Sequence, residues 1–264
     1  MVALVTTLHD PDGRMANAAR RLLATLHRLY EAVVVVPTSY TSHSLLETLK
    51  GCTVEPLSES SGRIGVGRRY ALHLGLSSGA SHLHYCDFDR VLHWADRYPD
   101  ELASVREAIS RHDYLIIGRT ARAFSTHPRV QRDTEGITNH AFSLWLGQSV
   151  DVSAGSCGIS RAAAELLIAR SKAESNATDA EWPALVRVAG GILGYMETEG
   201  LEFETPDYYP DEIARVGSLE GWLEERSRPL GAWIARTRLT LESLEATLRV
   251  AEVACWPIEA QEGA

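Results

Sequence analysis

GRIGVGRRYALHLGLSSGASHLHYCDFD, residues 62–89, runs from a glycine-bearing loop into a helical stretch that stops at Gly79, then into an apolar run that ends in two carboxylates. The run SHLHYCDFD reads as a strand. With a period of two, His82, His84 and Cys86 face one side while Leu83, Tyr85, Asp87 and Asp89 face the other. A strand that ends in solvent often finishes with Asp at a turn. Two Asp one residue apart on a short piece of chain also suit a hard divalent cation, which binds through one or two carboxylates plus phosphates. Arg63, Arg68 and Arg69 lie just ahead of the strand. Guanidinium forks fit phosphates, and the glycines permit close backbone approach; the bland alternative is a solvated helix face.

Outward from this stretch the pattern is β-α-β-α-β. Val2 to Leu8 is β-rich, the turn HDPDG follows, and Met15, Ala19, Leu22, Leu26 and Leu29 repeat at helical spacing. AVVVVP at 32–37 is a continuous apolar run typical of a strand buried on both faces, and a short helix and the strand-like CTVEPL come next. The order predicts an α/β fold, a mostly parallel sheet covered by helices. Downstream, Pro99 opens a helix through Leu102, Val105 and Ile109, and residues 113–118 form a strand. From Arg119 to Asp151 the pattern weakens and reads as a long connection with one short aromatic helix, HAFSLWLG, which marks it as functional. Thr178 and Glu181 fit a capping box. GILGYME and LEFETP are strand-like. Beyond Pro229 a long helix carries Leu230, Ile234, Thr237, Leu241, Leu244, Leu248 and Ala251 in alternating steps of four and three, a heptad-like stripe that packs on its own domain or on a second copy.

The order of elements and the run from Arg63 to DFD resemble nucleotide-sugar-dependent glycosyltransferases of the GT-A fold, especially the family 2 type. The resemblance spans roughly residues 2–190. It implies a GT-A-like, Rossmann-related sheet, a nucleotide-sugar donor, and a divalent cation, Mn or Mg, held by Asp87 and Asp89 against the donor diphosphate. Thr7, His9, Asp10, Arg63, Arg68 and Asp87 would border the donor. SAGSCGISRAA resembles the small-residue strand beside the acceptor pocket, which places Gly155 and Ser156 there. TDAEW resembles the acidic helix start that supplies the catalytic base of inverting members, with Asp179 first and Glu181 second. The chain departs from the pattern in two places: VVVVPTS replaces an acidic end to the second strand, and Arg90 follows DFD directly.

Two rival readings share the fold. A sugar-phosphate nucleotidyltransferase would carry a longer Gly- and Arg-rich signature after the first strand, where this chain reads TTLHDPDGRM. A non-catalytic nucleotide- or sugar-binding protein would not need an intact DFD. His82 and His84 form HxH, a pattern also used for zinc or iron, at the strand end away from the expected pocket. His127 and His140 fall in the weakly patterned connection as metal or acceptor contacts. Trp145, Trp182, Tyr208 and Tyr209 offer sugar-stacking surfaces or core.

Composition sets the outer bounds. The 264 residues are 45% hydrophobic and carry a formal net charge of −9, which argues against nucleic acid as a partner. The four cysteines form no CxxC pair, and the start of the chain lacks a signal-peptide pattern, so a cytoplasmic protein is expected, with peripheral membrane contact left open. The resemblance implies an acceptor that is a small molecule, a glycan or a lipid-linked molecule. One catalytic domain over residues 1–215 and a helical extension over 216–264, packed on it or joining a homodimer, is the simplest partition.

Overall fold

The computed structural model describes residues 1–58 and 63–255. Gly62 of the phosphate-loop reading and residues 256–264 of the expected extension lie outside the described residues. Strands β1 (Val2–Leu8), β2 (Ala32–Pro37), β3 (Thr53–Val54), β4 (His82–Cys86), β5 (Tyr114–Arg119), β6 (Ser156–Ser160) and β7 (Leu193–Thr198) form one sheet in the order β3-β2-β1-β4-β6-β5-β7. Every neighbouring pair is parallel except those made by β6, which runs against both β4 and β5. This is the α/β, mostly parallel architecture that the alternation predicts.

Apolar side chains on both faces of the sheet explain the unbroken hydrophobic runs. Val2, Leu4 and Leu8 pack with helices α1 (Ala16–Leu29), α4 (Phe88–Arg97) and α5 (Pro99–Ile109); Ala3 and Val5 pack with α3 (Ile64–Ser77), α8 (Arg161–Arg170) and α9 (Thr178–Val188). Each fully buried Leu or Val contributes about 1.5–3 kcal/mol. A short α2 (His43–Leu46) links β2 to β3.

Three expectations need correction. The strand of the opening stretch ends at Cys86, not Asp89: Asp87 is the residue before α4 and Asp89 lies in its first turn. Phe88, Val91, Leu92 and Ala95 are all buried at i, i+3, i+4 and i+7, so the chain must turn helical to hide them. The connection 119–151 is helical, with α6 (Ala121–Ser125) and the 18-residue α7 (Arg129–Leu146). Its buried stripe is Val130, Gln131, Thr134, Glu135, Thr138, Phe142 and Leu146, a helical period written largely in polar residues. LEFETP forms no strand; it bends into a 3-10 turn at Thr205–Tyr208. Helices α10 (Pro210–Val216), α11 (Leu219–Ser227) and α12 (Leu230–Cys255) follow.

Helix α12 packs on α7 and α9 through Thr240, Ser243, Ala246, Thr247 and Val250, while the heptad positions Leu230, Ile234, Leu241 and Leu248 stay exposed. The stripe is on the opposite side from the one a self-packing reading requires. No helix among the described residues is long and apolar enough to cross a membrane.

The approach of α3 to the turn before α9 depends on Gly65. Its N–H donates to the Glu174 carbonyl at 3.0 Å, and a Cβ there would lie 2.3 Å from the Ala173 carbonyl oxygen. Gly65→Ala should therefore cost about 1–3 kcal/mol by overpacking against backbone. Gly136→Ala, in α7 with open space around it, should be neutral or stabilising by up to about 1 kcal/mol. Urea denaturation of the two variants checks the contrast.

Candidate active site

The carboxyl ends of β1 and β4 converge with the amino end of β6, because β6 runs antiparallel and pairs Ser156 with Cys86. Loops and helix starts therefore meet over one edge of the sheet, where open α/β sheets bind ligands. Two adjoining cavities open there. One, of about 390 Å³, is lined by Thr7, His9, Thr38, Arg63, Gly67 and Asp89 among others. The other, of about 340 Å³, is lined by Arg68, Arg90, Glu135, Asp179, Glu204 and Arg236 among others. Asp87 lines both.

Arg68 organises the junction. It points inward from the first turns of α3 and is 1% exposed. Its Nε donates to the Tyr85 hydroxyl at 2.9 Å, Nη1 to Thr178 Oγ1 at 2.8 Å and to Asp179 Oδ1, and Nη2 to Asp87 Oδ2 at 3.4 Å. Asp87 is held from the other side by the hydroxyls of Tyr85, at 2.5 Å, and Thr7, at 3.3 Å. Thr178 already lies in the first turn of α9, and Ala177 occupies the capping position, so the capping box of the sequence does not form.

Charge crowds the same place. Burial pushes the Asp89 carboxyl up to about 7, and the negative charges of Glu204 and Asp87 add to the rise against the pull of Arg90. Asp89 Oδ1 accepts from the Arg90 N–H at 2.9 Å. Burial likewise raises Asp179 to about 6; Arg68 opposes the shift and Asp87 reinforces it. Asp179 Oδ2 has no hydrogen bond among the described residues, so one oxygen is anchored on Arg68 and the other faces the cavity. Gly155, at φ +71, closes the gap: a Cβ there would meet Asp87 Oδ2 at 3.4 Å and Arg68 Nη2 at 3.7 Å.

Several expected residues are placed elsewhere. Glu181 is 1% exposed and accepts from Ser171 Oγ at 2.6 Å and the Lys172 and Ala173 N–H groups at about 3 Å, so it holds that turn and does not reach the cavity. Ser156 turns to the other sheet face, where its hydroxyl meets His84 Nε2 at 3.0 Å. Asp10 accepts from the Arg14 and Met15 N–H groups at 3.0 and 2.8 Å, capping the start of α1. His9 and Arg63 do line the first cavity; His9 Nδ1 lies 2.8 Å from Thr38 Oγ1, and Arg63 pairs with Glu174. His84 is buried between Tyr30 and Ser156, and burial lowers it to about 3. His127 is buried against the Leu201 carbonyl at 3.1 Å, while His140 is exposed on α7. The aromatic residues do not gather: Trp182 is core, and the Tyr208 hydroxyl donates to the Asp89 carbonyl at 3.0 Å.

A buried ionic chain went unread in the sequence. Arg119 grips Asp151 with Nε at 2.7 Å and Nη2 at 2.9 Å and reaches Glu135 at 2.8 Å, which in turn pairs with Arg236 of α12 at 3.2 Å. Asn139 bonds Asp151 and accepts from the Val152 and Ser153 N–H groups at 3.0 and 3.1 Å, fixing the loop that delivers Gly155. The available signal was the helical spacing of 131, 135 and 139, which apolar periodicity alone does not detect.

Two carboxylates and oxygen-only donors suit Mn or Mg better than zinc. Among the described residues no three His, Cys, Asp or Glu side chains gather where they could hold a metal ion. The crowding itself is testable. Because the folded-state value of Asp89 lies above the ordinary 3.8, its contribution to stability is complete below that value and is lost as pH rises through about 7. Without divalent cations, Asp89→Asn should gain stability over wild type between about pH 4 and pH 8, by about 1–2 kcal/mol given partial exposure. Urea denaturation at the two pH values measures it.

No protein-family profile matches the sequence, and no curated protein matches it. Solved structures do. Glucosyl-3-phosphoglycerate synthase of M. tuberculosis, 12% identical, aligns over 98% of this chain and 82% of its own with a TM-score of 0.57. A second structure of that enzyme from Mycobacterium tuberculosis, in complex with Mn2+, uridine diphosphate and phosphoglyceric acid, is also 12% identical and aligns over 100% of this chain and 81% of its own at 0.53. At such identity the likeness is one of architecture: the chain has the GT-A-like fold found in nucleotide-sugar glycosyltransferases.

Proposed function

We propose that this protein is a glycosyltransferase that moves a sugar from a nucleotide-sugar donor to an acceptor hydroxyl. The observation that carries the reading is the junction itself: Asp87 borders both cavities, and one buried arginine ties it to Asp179 on the second. A donor and an acceptor seated in adjoining cavities would meet at that point. The fold and the Mn2+ and uridine diphosphate held by the structural neighbour support the assignment.

In this reading the cavity with Thr7, His9 and Arg63 takes the donor, with Asp10 supporting it only by capping α1. Asp87 and Asp89 would hold the divalent cation, which when bound neutralises charge on the leaving diphosphate. Arg68 keeps Asp87 oriented and adds positive charge beneath it. Asp179 accepts the acceptor proton through its free oxygen, and Gly155 leaves room for the acceptor beside Asp87. A base held at about 6 is largely ionised at neutral pH, so turnover should rise through that value and level off.

Residues 1–215 are the catalytic body, and the segment from 216 packs on it through α12, which adds Arg236 and Thr240 to the second cavity. The free cysteines Cys52, Cys86 and Cys157 suit a reducing cytoplasm. Thermal-shift measurements with UDP, GDP, ADP and CMP, with and without Mn2+, test the donor site. One nucleotide should stabilise the fold by about 2–3 kcal/mol at a hundredfold excess over its Kd, only with the metal, and not in Asp89→Ala. Asp179→Asn should keep that response and lose at least about a hundredfold in transfer. No response to any nucleotide overturns the reading.

The C-terminal helix supplies a second proposal, a homodimer. Ile234 is 45% exposed and Leu241 and Leu248 each 56%, so these positions of the apolar stripe have no cover among the described residues. An antiparallel copy crossing at Leu241 would bring Arg238 of one helix opposite Glu245 of the other, the complementary flank that sets pairing in coiled coils. Light scattering should give twice the chain mass for wild type and the monomer mass for Leu241→Glu, with the nucleotide response unchanged.

A further inference from the structure

The wall of the second cavity is rich in hydrogen-bond acceptors. Glu204 is 4% exposed; its Oε2 accepts no hydrogen bond among the described residues and pairs with Arg90 Nε only at 3.9 Å. Asn176 Oδ1 is also buried and accepts no hydrogen bond among them. Four hydroxyls on the wall spend their protons elsewhere. Thr134 donates to the Val130 carbonyl at 2.8 Å, Thr240 to the Thr134 carbonyl at 3.0 Å, Ser243 to the Leu239 carbonyl at 2.8 Å and Ser153 to Asn139 Oδ1 at 2.9 Å. A hydroxyl whose proton is committed offers only lone pairs to a ligand.

The cations of the same wall are already matched. Arg68 serves Asp87 and Asp179, Arg90 binds the Ala154 carbonyl and lies near Glu204, and Arg236 pairs with Glu135. Arg226 lies at the exposed rim, its Cζ over the Trp222 ring at 4.5 Å from the centroid. A phosphorylated or carboxylated acceptor brings oxygens that only accept. It would face the lone pairs of these committed hydroxyls with no proton to answer them. A ligand dense in O–H donors matches them.

We infer that the second cavity takes a neutral, polyhydroxylated acceptor, a sugar or alditol, in contrast to the phosphoglyceric acid bound by the structural neighbour. The inference rests on the transferase reading for the word acceptor, but the chemistry of the cavity is open to test by itself. Saturation-transfer NMR on the whole protein with Mg2+ would probe glucose, mannose, sorbitol and glycerol, the amine glucosamine, and the acids lactate and phosphoglyceric acid, each with and without UDP. Transfer from the protein to neutral polyols and not to the acids is expected. Asn176→Val and Thr134→Val, on separate walls, should each weaken polyol binding about three- to tenfold, so a folding failure in one leaves the other informative. Silence from every neutral polyol overturns the inference. So does binding of phosphoglyceric acid that Arg226→Ala abolishes, or binding confined to glucosamine, which would make the ligand cationic. Polyol binding with no nucleotide response would uphold the cavity chemistry while removing the transferase reading.

Discussion

A buried guanidinium holds this molecule's chemistry together. Arg68 is almost completely removed from water, and a charge so placed is tolerated only with partners on every donor. Tyr85 and Asp87 at the end of β4 and Thr178 and Asp179 at the start of α9 provide them. The constraint runs both ways. The arginine fixes α9 against the end of β4, and the same contacts leave each carboxylate with a defined orientation. Loss of one partner would leave an uncompensated buried charge, which is far costlier than loss of an exposed ion pair.

The reversed strand β6 is the second constraint. If it ran parallel to β4, its loop would leave from the opposite edge of the sheet, and Gly155 would lie far from Asp87. Because it runs antiparallel, the residues before it return to the edge where β1 and β4 end. The ionic chain from Asp151 through Arg119 and Glu135 to Arg236 then joins that loop to α7 and α12. The second cavity is thus framed by polar groups that answer to one another, and its shape follows from their pairing more than from apolar packing.

The sequence made the sheet legible because its strands are apolar on both faces and its first helices show clear stripes. DFD was recognisable as an acidic strand end, yet the register of Phe88, Val91, Leu92 and Ala95 turns it into a helix start, and that shift places Asp89 beside Glu204. Helix α7 stayed hidden because the positions it buries, Gln131, Thr134, Glu135 and Thr138, are polar. A pattern method that counts apolar residues sees no stripe there. Glu181 and Asp179 look alike two residues apart. Only the three-dimensional arrangement shows that one is committed to the Ser171 turn and the other to Arg68. Glu204 and Arg236 join the site from distant segments that carry no local motif.

Helix α12 has one side that walls the cavity with Arg236, Leu239 and Thr240 and another that shows Ile234, Leu241 and Leu248 to solvent. A molecule seated on the outer side and a molecule in the cavity would therefore act on a single rigid element. Thermodynamic linkage makes such effects reciprocal: whatever the outer occupant does to affinity in the cavity, the inner occupant does to the outer by the same factor. One helix thus serves two surfaces, and any coupling between their occupants, of either sign, is equal in both directions.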